Sequence, residues 1–87
     1  MATVILNHKV TDYNTWKQGY DSDKARRENA GMKEIFVGQR HDDPGMAYMI
    51  WEVADTSAID KMMSDPDLQQ TMQQAGVISK PEMIILN

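Results

Sequence analysis

β-Branched and aliphatic residues dominate the stretch Ala2–Val10 and alternate along it. Val4, Leu6, His8 and Val10 fall on one side, and Thr3, Ile5, Asn7 and Lys9 on the other. A period of two over this length predicts a first strand. Beyond it the period changes. Asp12 offers a side-chain acceptor to a helix N-terminus, and Tyr13, Trp16 and Tyr20 follow at i, i+3 and i+7, one face of a helix. Polar residues from Asp21 to Asn29 meet no breaker before Gly31, a natural C′ position with Arg26 and Arg27 near the negative end of the helix dipole.

Met32–Arg40 and Met46–Ala54 read as two strands joined through His41-Asp42-Asp43-Pro44-Gly45, whose Asp, Pro and Gly are turn formers, so the pair predicts a hairpin. Asp55-Thr56-Ser57 supplies N-caps for a short helix containing Ile59, Met62 and Met63. Asp65-Pro66 has the form of an N-cap followed by proline at N1. Leu68, Met72 and Ala75 then repeat at helical spacing up to Gly76, and Met83-Ile84-Ile85-Leu86 makes a last strand after Pro81. The order is βαββαβ, which predicts an α+β, ferredoxin-like domain over residues 1–87 with an antiparallel four-stranded sheet and its helices on one face.

The strands are apolar on both parities: Ile35 and Val37 against Phe36, Tyr48 and Ile50 against Met49, Trp51 and Val53, Ile84 and Leu86 against Met83 and Ile85. A sheet with a wet outer face would show one polar side. The pattern therefore predicts that the second face is buried against a partner, most simply as a two-fold homodimer enclosing a barrel-like layer. Register within the hairpin bears on Glu52. Pairing Gln39 with Met46 sets Lys33 opposite Glu52, whereas the one-residue slip would set Glu34 against it, so the first is expected. It places Tyr48, Ile50 and Glu52 on one face and Phe36, Met49 and Trp51 on the other.

With 87 residues, 41% hydrophobic and 25% charged, the chain reads as one small folded domain. The net charge of −4, with no basic run longer than Arg26-Arg27, argues against nucleic acid or an anionic membrane as partner. The chain has no cysteine, which excludes disulfides, thiol catalysis and iron–sulfur ligation. No apolar stretch predicts a signal peptide or a membrane span, and the expected location is cytoplasmic.

Several segments together resemble a known group. They are His8-x-Val10-x-Asp12-Tyr13-x-x-Trp16-Lys17, Gly31 ahead of the second strand, Asp42-Asp43-Pro44, Glu52-x-x-Asp55, and Ser64-x-Pro66-x-Leu68…Met72…Ala75-Gly76-Val77…Pro81. This pattern is similar to the dimeric α/β-barrel proteins of the antibiotic-biosynthesis-monooxygenase-like superfamily, particularly its short cyclase-like and prodiginine-pathway-like members. The resemblance implies a pocket between sheet and helices, roofed by parts of a partner subunit. It also implies a cofactor-free chemistry in which a phenolic substrate is deprotonated and held as its anion near oxygen. Such chemistry needs a base and an anion-stabilising donor in a dry cavity.

Candidates for those roles are few. His8 sits among strand residues and can take a proton near neutral pH; it reads first as a strand histidine bonded to a helix or loop, and second as a base. Arg40 could stabilise an anion, although a solvated arginine is the default at a hairpin mouth. Tyr48 and Trp51 are three apart in a strand and so face opposite sides, which allows only one of them to line a given cavity. Glu52 reads as a rim ion pair with Lys33 or as a buried carboxylate with an acid–base role. The Tyr13–Trp16–Tyr20 stripe reads as core packing, and the methionines as flexible filler or pocket lining. Neither a metal nor a cofactor is expected, since consecutive His41-Asp42-Asp43 cannot converge on one ion and no glycine-rich phosphate loop exists. An RNA-recognition surface is excluded by the lack of paired strand aromatics. Two readings remain: a cofactor-independent monooxygenase or cyclase acting on an aromatic or polyketide-like molecule, and a non-catalytic dimer that binds a small apolar or aromatic molecule or another protein.

Overall fold

The computed structural model describes residues 1–87. Its elements are β1 (Ala2–Lys9), α1 (Tyr13–Ser22), α2 (Lys24–Asn29), β2 (Met32–Gln39), β3 (Met46–Val53), α3 (Ser57–Met63), α4 (Pro66–Gln74) and β4 (Glu82–Leu86). The strands form one antiparallel sheet in the order β2-β3-β1-β4, the ferredoxin-like arrangement. The helices cover the face carrying Val4, Leu6, His8, Ala47, Met49, Trp51 and Val53, all at most 2% exposed.

Local chemistry explains the boundaries. The Asp12 carboxylate accepts from Thr15 N at 3.0 Å and starts α1. Asp65 accepts from Asp67 N at 2.9 Å, with Pro66 at the first helical position where its missing N–H costs nothing. Gly76, at φ 90°, turns the chain out of α4 in the left-handed region that a side chain resists. Its carbonyl accepts from Thr11 N at 2.9 Å, and the neighbouring Ile78 N donates to Lys9 O, which ties the exit of α4 to the end of β1.

Two details depart from the sequence expectation. The first helical region is interrupted at Asp23 (φ −97°, ψ 15°), where Arg27 Nη1 donates at 2.7 Å to the Tyr20 carbonyl, one of those released at the end of α1. The second is a β-bulge in β2 between Glu34 and Phe36. Lys33 does stand opposite Glu52, but past the bulge Phe36 pairs with Ile50, Val37 with Met49 and Gln39 with Ala47. The expected Gln39–Met46 pairing is thus corrected by one residue. Phe36 consequently leaves the face of Met49 and Trp51 and joins Ile50 on the uncovered one, because the extra residue reverses the alternation.

Between sheet and helices lies a core of 14 buried hydrophobic residues, including Ile59 and Val53, both 0% exposed. Burial of each such aliphatic side chain contributes roughly 1.5–3 kcal/mol. No helix covers the other face, where Phe36 (51% exposed), Ile84 (53%) and Leu86 (51%) stand in the open.

Candidate functional site

A cavity of about 60 Å³ lies between the sheet and the helices. Its floor is the covered sheet face, through Leu6 and His8 of β1 and Met49 and Trp51 of β3. Its walls come from Trp16 and Tyr20 of α1, Arg27 of α2, Met62 and Met63 of α3, and Leu68, Thr71 and Met72 of α4. This is far below the ~300–1,000 Å³ of a typical ligand pocket. Four of the lining side chains are methionines, however, whose unbranched chains re-pack readily, so the walls have the means to widen. A wider hollow of about 450 Å³, lined largely by charged residues, opens between the α1–α2 region and the edge of β2; Arg27 and Trp51 belong to both spaces.

His8 is 2% exposed, and its Nδ1 is buried with no hydrogen-bond partner. Burial pushes its pKa below the usual 6.5, partly offset by its own backbone, so the imidazole is neutral at pH 7. Its ring meets Trp16 edge-on, with centroids 5.3 Å apart and planes at 79°. Trp16 continues to Tyr20 at 5.0 Å, and the Arg27 guanidinium lies 3.5 Å from the Tyr20 ring centre. A line of stacked groups therefore runs from His8 to Arg27. The Tyr20 hydroxyl accepts from Trp51 Nε1 at 2.9 Å and donates to the Glu34 carboxylate at 2.8 Å. Burial, more than any other influence, pushes its pKa up to about 12, which keeps it protonated in that bridge.

Of the five residues proposed from sequence for catalysis or substrate binding, the structure brings His8 and Trp51 to this cavity; Trp16 and Tyr20 of the aromatic stripe and four of the methionines line it as well. Tyr48 and Glu52 pair into the sheet beside Ile50 on the uncovered face; Glu52 stands opposite Lys33 but makes no ion pair with it. Arg40 sits at the hairpin mouth, where its Nε and Nη2 bind the two Asp42 oxygens at 2.9 and 3.0 Å. That contact holds the Asp42 carboxyl below its usual range and keeps Arg40 away from the cavity. Sequence reasoning missed Arg27 as a cavity residue, since an arginine near a helix end reads as a partner for the dipole. The spacing of Trp16, Tyr20 and Arg27, at i, i+4 and i+11, was the available signal: it marks one helical face and survives the break at Asp23.

A four-stranded antiparallel sheet with its helices on one face, a largely apolar chamber beneath them and a bare opposite face defines an α+β protein of the ferredoxin-like fold class. Within that class, the chain belongs to the family described as the domain of unknown function DUF3764, whose model matches residues 1–84. No curated protein matches it in sequence. Among solved structures it is similar to a candidate antibiotic biosynthesis monooxygenase from Caulobacter crescentus, with a TM-score of 0.74 and 12% identity over 98% of this chain and 86% of that one. It is also similar to a NIPSNAP family protein of unknown function from Agrobacterium tumefaciens (TM-score 0.72, 12% identity, 99% and 86% covered). An uncharacterised NIPSNAP domain protein from Burkholderia xenovorans gives a TM-score of 0.69 at 10% identity, with 100% and 93% covered. At these identities the likeness concerns the fold. No helix is long and apolar enough to cross a membrane.

Proposed function

We propose that the protein is a small-molecule-binding homodimer of the dimeric α/β-barrel type, which admits a small apolar or aromatic metabolite to the cavity under its helices. One observation carries this reading: His8, a buried imidazole with an unpartnered nitrogen, is one of the residues lining a largely apolar chamber. Buried polar atoms are rarely left without a partner, and one that lines a cavity is free to meet a ligand. A neutral imidazole accepts a hydrogen bond or a proton from a phenol or an enol. In the enzymatic form of the reading, a cofactor-independent monooxygenase or cyclase acting on a polyketide-like molecule, His8 takes that proton first and the dry walls shelter the anion.

A non-catalytic ligand-binding or protein-interaction dimer is the second reading. It is favoured by the lack of another free acid or base on the cavity wall, since the Asp23 carboxylate is held by Arg26. Support for the dimer is the uncovered sheet face. Phe36, Ile84 and Leu86 are each about half exposed there, beside partly buried Ile5, Tyr48 and Ile50. Covering a contiguous apolar face with a second copy is the simplest way to remove it from water.

Sedimentation at micromolar concentration is expected to give a dimer, and Ile84→Lys a folded monomer. A soluble monomeric wild-type chain would overturn the dimer. For the site, a screen of small phenols should raise the melting temperature of the wild type and leave His8→Leu unmoved; an equal response of both would remove His8 from the function.

A further inference from the structure

The chain has three arginines, and two of them are neutralised by carboxylates. Arg26 binds Asp23, Asp65 and Asp67, and Arg40 binds Asp42. Arg27 makes no ion pair. Its one hydrogen bond goes from Nη1 to the Tyr20 carbonyl, and its guanidinium carbon lies over the Tyr20 ring. Most of its five N–H donors thus have no protein partner, and the side chain borders both the apolar cavity and the polar hollow open to solvent.

We propose that the natural ligand is an amphiphilic monocarboxylate, a small aromatic or alkyl acid whose carboxylate docks on Arg27 and whose apolar body lies along the Trp16–Tyr20 wall toward His8. This rests on the cavity being a binding site. A guanidinium fixed by stacking presents a planar fork that suits a carboxylate. A single negative charge fits better than a phosphate dianion, because Asp21, Glu28 and Glu34 offset Lys24, Lys33 and Arg27 in the same outer hollow, leaving its lining without net positive charge, and the chain carries a net −4. The stack from Arg27 through Tyr20 and Trp16 to His8 then sets the polarity of the bound molecule: acid outermost, apolar body within, and any hydroxyl at the His8 end.

The test uses the only two tryptophans, Trp16 and Trp51, which both line the cavity and so report on its occupancy by fluorescence. The full-length protein is titrated with 3-phenylpropionate and with its neutral amide, 3-phenylpropionamide. The acid should bind about ten- to a hundredfold tighter than the amide, as expected for hydrogen bonds to a charged group, and added salt should weaken it. Arg27→Gln should erase the difference and Arg27→Lys should keep part of it, with the far-ultraviolet circular dichroism of each variant matching the wild type. Equal affinity of acid and amide in the wild type would overturn the carboxylate assignment and leave the cavity reading standing. A tryptophan signal that neither probe moves at millimolar concentration would overturn both.

Discussion

Replacing His8 by leucine separates a functional histidine from a structural one. The buried Nδ1 has no partner in the fold, and such a group costs about 1–3 kcal/mol relative to an apolar replacement. Leucine removes that cost and fills the same position between Leu6 and Val10 on the covered face. What is lost is the edge-on contact with Trp16 at 5.3 Å, worth roughly 0.5–1.5 kcal/mol. The balance is a gain of about 1 kcal/mol at pH 7, which in a domain of this size raises Tm by about 4–8 °C. The gap should widen on acidification. Burial lowers the folded-state pKa of His8 below 6.5, so the unfolded chain binds the proton more readily. Stability due to the neutral imidazole is present above pH 6.5 and is lost as pH falls toward the folded-state value. Asp12, Asp42 and Asp55 have carboxyls held below 3.8, and their effect appears only in more acid solution. Thermal melts of both proteins between neutral pH and mild acid would therefore isolate the histidine. If leucine lowers stability at pH 7 by more than about 2 kcal/mol, or leaves the pH slope in this window unchanged, the imidazole is a structural element and its proposed role fails.

Tyr20→Phe removes the acceptor for Trp51 Nε1 and should cost about 1–3 kcal/mol in urea unfolding; a neutral result would mean that water replaces the hydroxyl. The Tyr20 pKa of about 12 lies above the ordinary 10, so its contribution to stability holds below pH 10 and disappears as pH rises through 12. One phenol should accordingly ionise late in an ultraviolet titration. Gly76→Ala forces a side chain at φ 90°, with its Cβ 2.5 Å from Thr11 Oγ1, and should destabilise by about 1–3 kcal/mol or more. Gly45→Ala, whose nearest neighbour would be 3.5 Å away, serves as the mild control in the same melts.

Much of the architecture was legible because its determinants are local. Asp12, Asp65-Pro66 and Gly76 mark helix ends through hydrogen bonds and dihedral preferences that act within a few residues, and alternation placed His8 on the same face as Val4 and Leu6. The bulge in β2 was not legible. Ile35, Phe36 and Val37 are consecutive apolar residues, so both registers hide grease equally well, and only the packing of β3 chooses between them. The cavity was half legible for a related reason. Period and spacing tell which residues share a face, yet which groups converge depends on how α1, α3 and α4 sit on the sheet. Arg27 therefore stayed hidden behind a local explanation, while Arg40, Tyr48 and Glu52 were drawn in although they lie at the hairpin mouth or across the sheet.

The irregularity at Ile35 gives β2 two reading frames in one strand. Met32 and Glu34 keep time with Val53 and Trp51 on the helix side, and Phe36 keeps time with Ile50 on the bare side. A chain shortened by that single residue could hold Glu34 in step with the Tyr20–Trp51 bridge or Phe36 in step with the outer surface, but not both. Chamber and outer surface are thus coupled through one spacer residue, and length changes in this strand should disturb one of them even when every other side chain is kept.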